Sequence, residues 1–287
     1  MRAPLVLLLA LAACGGPLSD DAGGEADLRP QRHLFSLQNA PFGGAQPSVL
    51  VHLGKGFTAD GPLNLVVHYH GWANCIENDG EATGAACTRG GPVRVAHDLI
   101  GQLDRSGVDA ALILVERAFD QSSSDDGKLA QAGVFRAMIL ELLPRIGALA
   151  GRNYTEQDLG ALVLSSHSGG YRALAHTLDR GGLTPHVRQV ILLDSVYDNV
   201  AQFEAWASAA PGQNRLAVVY TDGAGTKPLS QKLASDARSW GAPVVDDRTF
   251  ATLTDAAFAA PLLFKRSALS HDGTAQYYFG RLLAHAF

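Results

Sequence analysis

Serine, histidine and aspartate side chains in this sequence could together perform nucleophilic catalysis. Ser168 stands in the segment ALVLSSHSGGYRALAHTL, in which an apolar run is followed by small residues and then by an amphipathic pattern. A serine at the tip of a strand-to-helix turn exposes its hydroxyl group, and small residues two places before and after it avoid clashes. Ser166 and Gly170 occupy those two places. A helix-capping serine would also fit this segment, so other residues must decide between the two roles.

The turn is similar to the Gly-x-Ser-x-Gly motif of the α/β-hydrolase superfamily, with Ser166 in the place of the first glycine. The resemblance follows the order of the predicted elements and extends over roughly residues 45 to 287. It implies a serine hydrolase of the esterase type, in which Ser168 is the nucleophile and the acid and the histidine follow in that order. The resemblance implies no cofactor.

The same resemblance suggests the other two members of a catalytic triad. His271 lies near the C-terminus, between an apolar run and the last amphipathic segment, and would be the general base. Asp222 in AVVYTDGAGT has the usual place of the acid, and we predict that its glycine-containing turn lets it approach His271. Asp194 in VILLDSVYD is the alternative, because some relatives carry the acid there, although it could instead pair with Arg172.

A second glycine turn, at residues 70 to 72 (HGW), follows the apolar run LNLVVHYH. In hydrolases of the resembled family, such a turn supplies one backbone N–H to the oxyanion hole, and the residue after the nucleophile supplies the other. The two donors would be Trp72 and Gly169. His68 and His70 would share one face of a strand and could instead hold zinc. Because no further ligands follow at suitable spacing, we predict no metal site.

The elements that must position these residues alternate between apolar β-rich runs and helical patterns, which predicts an α/β fold with a mostly parallel central sheet. The middle runs are almost continuously apolar, so we expect helices on both faces of the sheet. Little sequence separates the sixth and seventh strands, which predicts little or no lid. The predicted strands cover residues 33–37, 48–53, 63–70, 110–116, 161–166, 187–194, 215–221 and 261–267, with 243–247 as an alternative last strand. The predicted helices cover residues 92–106, 128–149, 169–180, 199–209, 227–240 and 274–287.

The N-terminus indicates export. Arg2 precedes an apolar run at residues 4 to 13 that is too short to span a bilayer as a helix. The run ends in LAAC, which resembles the bacterial lipobox and implies a signal peptide over residues 1–13 and a lipid on Cys14. An ordinary signal peptide is the alternative. We expect a membrane-anchored protein of the bacterial cell envelope that faces the periplasm or the cell exterior.

The remainder of the chain divides into a tether and a single domain. Residues 14–30 are rich in Gly, Asp and Ala and would be flexible, whereas residues 31–287 would form the hydrolase domain. Two further cysteines, Cys75 and Cys87, lie in this domain. In an oxidising compartment they would form a disulfide worth roughly 3 kcal/mol, with two free thiols as the alternative.

These features predict hydrolysis of an ester or related acyl bond in a small-molecule or acylated substrate, through an acyl-enzyme. Trp72, Tyr197 and residues 119–127 would face the nucleophile, whereas His167 would point away from it and be structural. The formal charge of -5, with no basic run among aromatic residues, argues against nucleic acid as a partner. A non-catalytic surface lipoprotein that uses the fold for binding is the alternative.

Overall fold

The computed structural model describes residues 32–42, 47–88, 90, 93–118 and 124–287. The predicted signal peptide, Cys14 and the tether lie outside the described residues. Within them, no helix is both long and apolar enough to cross a bilayer. The strands are β1 (Arg32–Phe35), β2 (Val49–Leu53), β3 (Leu63–Tyr69), β4 (Ala111–Val115), β5 (Leu159–His167), β6 (Val187–Leu193), β7 (Arg215–Tyr220), β8 (Val244–Asp247) and β9 (Leu262–Arg266). The α-helices are α1 (Ile76–Gly80), α2 (Leu99–Ser106), α3 (Val134–Ala150), α4 (Tyr171–Arg180), α5 (Val200–Ala209), α6 (Lys227–Ala237), α7 (Asp255–Phe258) and α8 (His271–Leu283).

All of these strands belong to one sheet in the order β1-β2-β4-β3-β5-β6-β7-β9-β8. β2 is antiparallel to both of its neighbours, and every pairing from β4 to β8 across the sheet is parallel. The connection from β6 to β7 contains the helix α5. The mostly parallel α/β sheet predicted from the sequence is therefore confirmed.

Two hydrophobic cores cover the two faces of the sheet. Adjacent residues of β3 divide between them, because successive side chains of a strand point to opposite faces. Val67 packs in the core that contains α3, α4, α5 and α6. Val66 packs in the core that contains α1, α2, α7 and α8. Burial on both sides explains why the central strands are apolar throughout instead of alternating.

The observed elements match most of the predicted ones, and the differences are informative. Both candidates for the last strand are strands, and β9 is the one that leads to His271. The helix predicted over residues 92–106 is wrong in its first half, since α2 begins at Leu99. Asp98 lies at φ 55°, in the left-handed region, and cannot continue a right-handed helix toward its N-terminus. The segment directly before α2 is therefore not helical.

The predicted disulfide is present. Cys75 and Cys87 are bonded, with their Cα atoms 6.0 Å apart. The bridge closes the loop that contains α1, directly after the turn at residues 70 to 72. It therefore constrains the chain that follows the predicted oxyanion turn.

Candidate active site

The nucleophile candidate lies where β5 ends, at the edge of the sheet at which parallel strands of this architecture bind ligands. Ser168 follows β5 directly and begins a 3₁₀ turn that leads into α4, as the sequence predicted. Its φ of 51° lies in the left-handed region, which costs a residue with a side chain about 1–2 kcal/mol. The hydroxyl of Ser195 donates a 2.7 Å hydrogen bond to the Ser168 carbonyl. A Cβ on Gly170 would collide with the Tyr69 backbone, so this tight turn needs glycine there.

His271 and Asp194 form a hydrogen-bonded pair beside this turn. Nδ1 of His271 lies 2.8 Å from Oδ2 of Asp194. The buried carboxylate also accepts bonds from the backbone N–H and hydroxyl of Thr221 and from the hydroxyl of a second threonine. Burial alone would raise the pKa of Asp194, but these hydrogen bonds outweigh it and lower the pKa. The expected pair with Arg172 does not form, because the Arg172 guanidinium lies 3.7 Å from Asp126 instead.

Asp222 does not pair with His271, contrary to the prediction from the sequence. Asp222 follows β7, but its side chain is 45% exposed and forms ion pairs with Arg266 and Lys227. These two cations lower the pKa of Asp222 to about 2. Arg266 lies on β9, opposite the last residue of β7, so the pairing of the two strands brings the cation to the aspartate. The structure brings together Ser168, His271 and Asp194, not Asp222.

The turn at residues 70 to 72 approaches the nucleophile from the end of β3. A Cβ on Gly71 would lie 2.9 Å from the Cβ of Ser168, so this approach requires glycine. Nδ1 of His70 donates to the Gly71 carbonyl at 2.7 Å, and its Nε2 lies 2.9 Å from Oε1 of Glu116. The C=O and N–H of a trans peptide point in opposite directions, so this bond directs the N–H of Trp72 away from His70.

The aromatic residues predicted near the nucleophile are found there. The Trp72 indole lies against Gly169 so closely that a Cβ on that glycine would collide with it. Its Nε1 donates a 3.1 Å hydrogen bond to the hydroxyl of Ser124, which belongs to the predicted loop at residues 119–127; residues 119–123 lie outside the described residues. Tyr197 lines the same cavity as Ser168. Burial, reinforced by a nearby carboxylate, raises the pKa of Tyr197 to about 12.

Two cavities meet at His271 and Tyr197. The catalytic cavity has a volume of about 340 Å³ and contains Trp72 and Ser168 in its lining. The side cavity has a volume of about 650 Å³ and extends past Asp222. The catalytic cavity is also lined by Arg94, Val95, His97, His167 and Asp272, and the side cavity by Thr221, Phe250, Leu269 and Ser270.

Part of the wall of the catalytic cavity was not predicted from the sequence. His167 was expected to be purely structural, but it lines this cavity, with its ring centroid 4.5 Å from that of His271. Burial, together with the charges of neighbouring histidines, holds the pKa of His167 well below its usual value. His97 and Asp272 also line the cavity. Because they are 175 residues apart in the chain, they form no local sequence motif. Their only sequence signal is that Asp272 directly follows the base candidate.

The histidines first considered as a metal pair have separate partners. Nε2 of His68 lies 3.1 Å from Oδ2 of Asp79. Nε2 of His70 lies 2.9 Å from Oε1 of Glu116. Since each imidazole contacts its own carboxylate, the proximity of the two histidines on one strand does not create a shared ligand set.

Comparisons with known proteins agree with this architecture. No model of a protein family matches the sequence, and no curated protein matches it either. The structure is similar to the feruloyl esterase module of Clostridium thermocellum, with 10% identity and a TM-score of 0.59 over 90% of this chain and 88% of that one. It is also similar to a ferulic acid esterase, with 12% identity and a TM-score of 0.50 over 90% of this chain and 99% of that one. The chain therefore has the α/β-hydrolase fold.

Proposed function

We propose that the protein is a serine esterase. The observation that carries the proposal is the 2.8 Å hydrogen bond between His271 and the buried Asp194, formed beside the strained turn of Ser168. A buried carboxylate on Nδ1 holds the imidazole in the tautomer whose Nε2 can accept a proton. His271 and Ser168 line the same cavity, so base and nucleophile have access to one substrate.

In the proposed reaction, the Ser168 hydroxyl attacks the ester carbonyl while Nε2 of His271 takes its proton. The imidazolium then returns this proton to the departing alcohol, and water repeats the sequence on the acyl-enzyme. Asp194 orients His271 and stabilises the imidazolium. The backbone N–H groups of Trp72 and Gly169 stabilise the oxyanion, each by roughly 3–4 kcal/mol in the transition state.

The two cavities support a small-molecule ester as the substrate. They meet at His271, where the scissile bond would lie, so the acyl group and the alcohol can occupy separate spaces. Volumes of about 340 Å³ and 650 Å³ are typical of sites for small molecules. The names of the similar solved structures, both esterases of ferulic acid, favour an ester over an amide.

A fluorophosphonate probe tests this proposal, because it reacts with an activated serine and not with a binding protein. We expect the probe to label the folded protein and to fail to label Ser168→Ala. Ser195→Ala is the matched control: this serine is buried next to the turn, and its variant should retain a labelled serine. Absence of labelling in the folded wild type would favour a binding protein that has kept the fold.

We further propose that the enzyme is attached to a membrane of the bacterial cell envelope through a lipid on Cys14. The LAAC sequence at the end of the N-terminal apolar run supports this proposal. The Cys75–Cys87 disulfide is in keeping with an oxidising compartment outside the cytoplasm.

A further inference from the structure

A chain of buried polar side chains leads from the core to the catalytic cavity and has no role in the proposed ester hydrolysis. Asp79 on α1 is fully buried, and its two oxygens contact two histidines. Oδ2 lies 3.1 Å from Nε2 of His68, and Oδ1 lies 2.5 Å from Nδ1 of His97. The amide of Asn74 donates to the same Oδ1 at 2.8 Å. A carboxylate with so many partners fixes the orientation of His97.

His97 turns its other nitrogen toward the cavity. Because Nδ1 is bonded to Asp79, Nε2 is left to face Asp272, whose Oδ1 lies 3.4 Å away. An imidazole that is held through one nitrogen by a buried carboxylate and offers the other nitrogen to a ligand is the usual arrangement around protein-bound metal ions.

His167 completes this group from the opposite wall. Its ring centroid lies 4.7 Å from that of His97. Its Nε2 donates a 3.2 Å hydrogen bond to the backbone carbonyl of His271 and lies 3.9 Å from Oδ1 of Asp272. Its Nδ1 is buried and has no hydrogen-bond partner in the described part of the chain. One ligand atom from each of His97, His167 and Asp272 lies within 4.8 Å of the others. The three residues come from the segment before α2, the end of β5 and the start of α8, which are all anchored in the sheet or its helices.

We propose that His97, His167 and Asp272 bind a divalent transition-metal ion in the wall of the catalytic cavity. Two imidazoles and one carboxylate match the ligand preference of Zn²⁺, whereas Ca²⁺ and Mg²⁺ prefer oxygen ligands alone. The ion would enter through the cavity, and water in the cavity would supply its remaining ligand. The ligand atoms lie within 4.8 Å of one another, and Nε2 of His167 must give up its hydrogen bond to the His271 carbonyl to bind the ion.

A metal ion bound at this site would slow ester hydrolysis. This consequence rests on the proposed esterase function. The ring of His167 lies 4.5 Å from that of His271, which becomes positively charged during proton transfer. A dication held by His167 disfavours this imidazolium, so we expect occupancy to lower kcat by about tenfold or more. The cluster is therefore a site at which a metal ion can inhibit the enzyme.

Metal binding is measured directly on chelator-treated full-length protein that carries Cys14→Ser, so that position 14 offers neither a lipid nor a competing thiol. Calorimetry with ZnCl₂ should show one site with a dissociation constant of about 1 μM or lower. Co²⁺ should give the strong visible absorption of a four-coordinate ion. His97→Gln and Asp272→Asn should each weaken binding by at least about tenfold. The Asp272 side chain is 40% exposed, so its variant should fold even where His97→Gln does not.

Two variants serve as matched controls. His176→Gln removes a histidine that pairs with Asp126 and does not line the catalytic cavity, and Asp222→Asn removes a carboxylate of the side cavity. Both should bind Zn²⁺ as the parent does. No saturable binding by the parent, or equal binding by Asp272→Asn, means that the cluster is an ion pair only and overturns the proposal.

Activity is a separate readout. Zn²⁺ should inhibit hydrolysis of p-nitrophenyl acetate by the parent and inhibit Asp272→Asn much less, each relative to its own metal-free rate. If the protein binds one Zn²⁺ at this site but hydrolyses no ester, the proposed function fails while the metal site stands. Binding of the ion without inhibition contradicts the inhibitory role.

Discussion

Replacing Asp194 by asparagine tests the roles of the two aspartates, because it preserves size and removes only the charge and one acceptor. The new amide nitrogen cannot take the place of Oδ1, which accepts from the fixed backbone N–H of Thr221 at 3.0 Å. It therefore takes the place of Oδ2, which lies 2.8 Å from Nδ1 of His271. Two N–H groups would then face each other, so the imidazole must move its proton to Nε2. That nitrogen can no longer accept a proton from Ser168.

The expected loss in kcat is about 10⁴, or about 5.4 kcal/mol in transition-state stabilisation at 1.36 kcal/mol per decade. Folding should be affected less. The lost charge-assisted bond to His271 costs about 1.5–3 kcal/mol of the free energy of unfolding, and the bonds from Thr221 can persist in altered form. Asp222→Asn, which removes an exposed carboxylate, should retain kcat within about twofold of the wild type.

The assay is the steady-state hydrolysis of p-nitrophenyl acetate by wild type, Asp194→Asn and Asp222→Asn, with urea unfolding of the same preparations. If folded Asp194→Asn keeps kcat within about tenfold of the wild type, the reasoning about the imidazole tautomer is refuted. If Asp222→Asn instead lowers kcat about a thousandfold, Asp222 is the catalytic acid that the sequence favoured, despite its ion pairs.

Cys14→Ser should release the protein from membranes without affecting its activity, because the proposed lipid would be attached outside the folded domain. Sedimentation of the variant with membranes after a salt wash would show that a lipid on Cys14 is not the anchor. Reduction of the Cys75–Cys87 bridge should lower the thermal midpoint, and it should also lower kcat because the bridge constrains the loop after the predicted oxyanion turn. If both the thermal midpoint and kcat stay unchanged on reduction, this coupling is ruled out. Gly71→Ala places a methyl group against Ser168 and should lower kcat by about 10²–10³ with the fold retained, which circular dichroism and kinetics can verify. Hydrogen bonds lower the pKa of Asp194 in the folded protein. Its contribution to stability is therefore complete above the pKa of about 3.9 of an unfolded aspartate and is lost as the pH falls from there through the lower pKa of the folded state. Urea midpoints between about pH 5 and pH 2 should therefore fall more steeply for wild type than for Asp194→Asn.

The features that the sequence predicted are those determined by neighbouring residues. Nearly continuous apolar runs indicate strands buried on both faces, and all of the predicted strands are present. Ser168 lies in an apolar run followed at once by small residues and an amphipathic pattern, so the strand, turn and helix are specified within one segment. Cys75 and Cys87 are separated by 12 residues, and a loop of that length closes readily.

Local patterns also have a limit, as the helix predicted over residues 92–106 shows. The segment before Leu99 has helical periodicity in the sequence, but His97 bonds to Asp79, which belongs to a different element. A buried hydrogen bond to a charged group outweighs the weak helix preference of a few residues. Propensity alone therefore could not predict an extended segment along the catalytic cavity.

Only the tertiary structure decided between the two aspartates. In the sequence, Asp194 and Asp222 each follow directly on an apolar run, so both are placed at the end of a predicted strand. The difference comes from residues far away in the chain: Arg266 on β9 pairs with Asp222, whereas Asp194 is left to accept the hydrogen bond of His271. Apolar periodicity specifies which strands and helices form, because burial depends on each residue's own side chain. Electrostatic partners depend on which strands become neighbours, and strand order is a property of the whole fold.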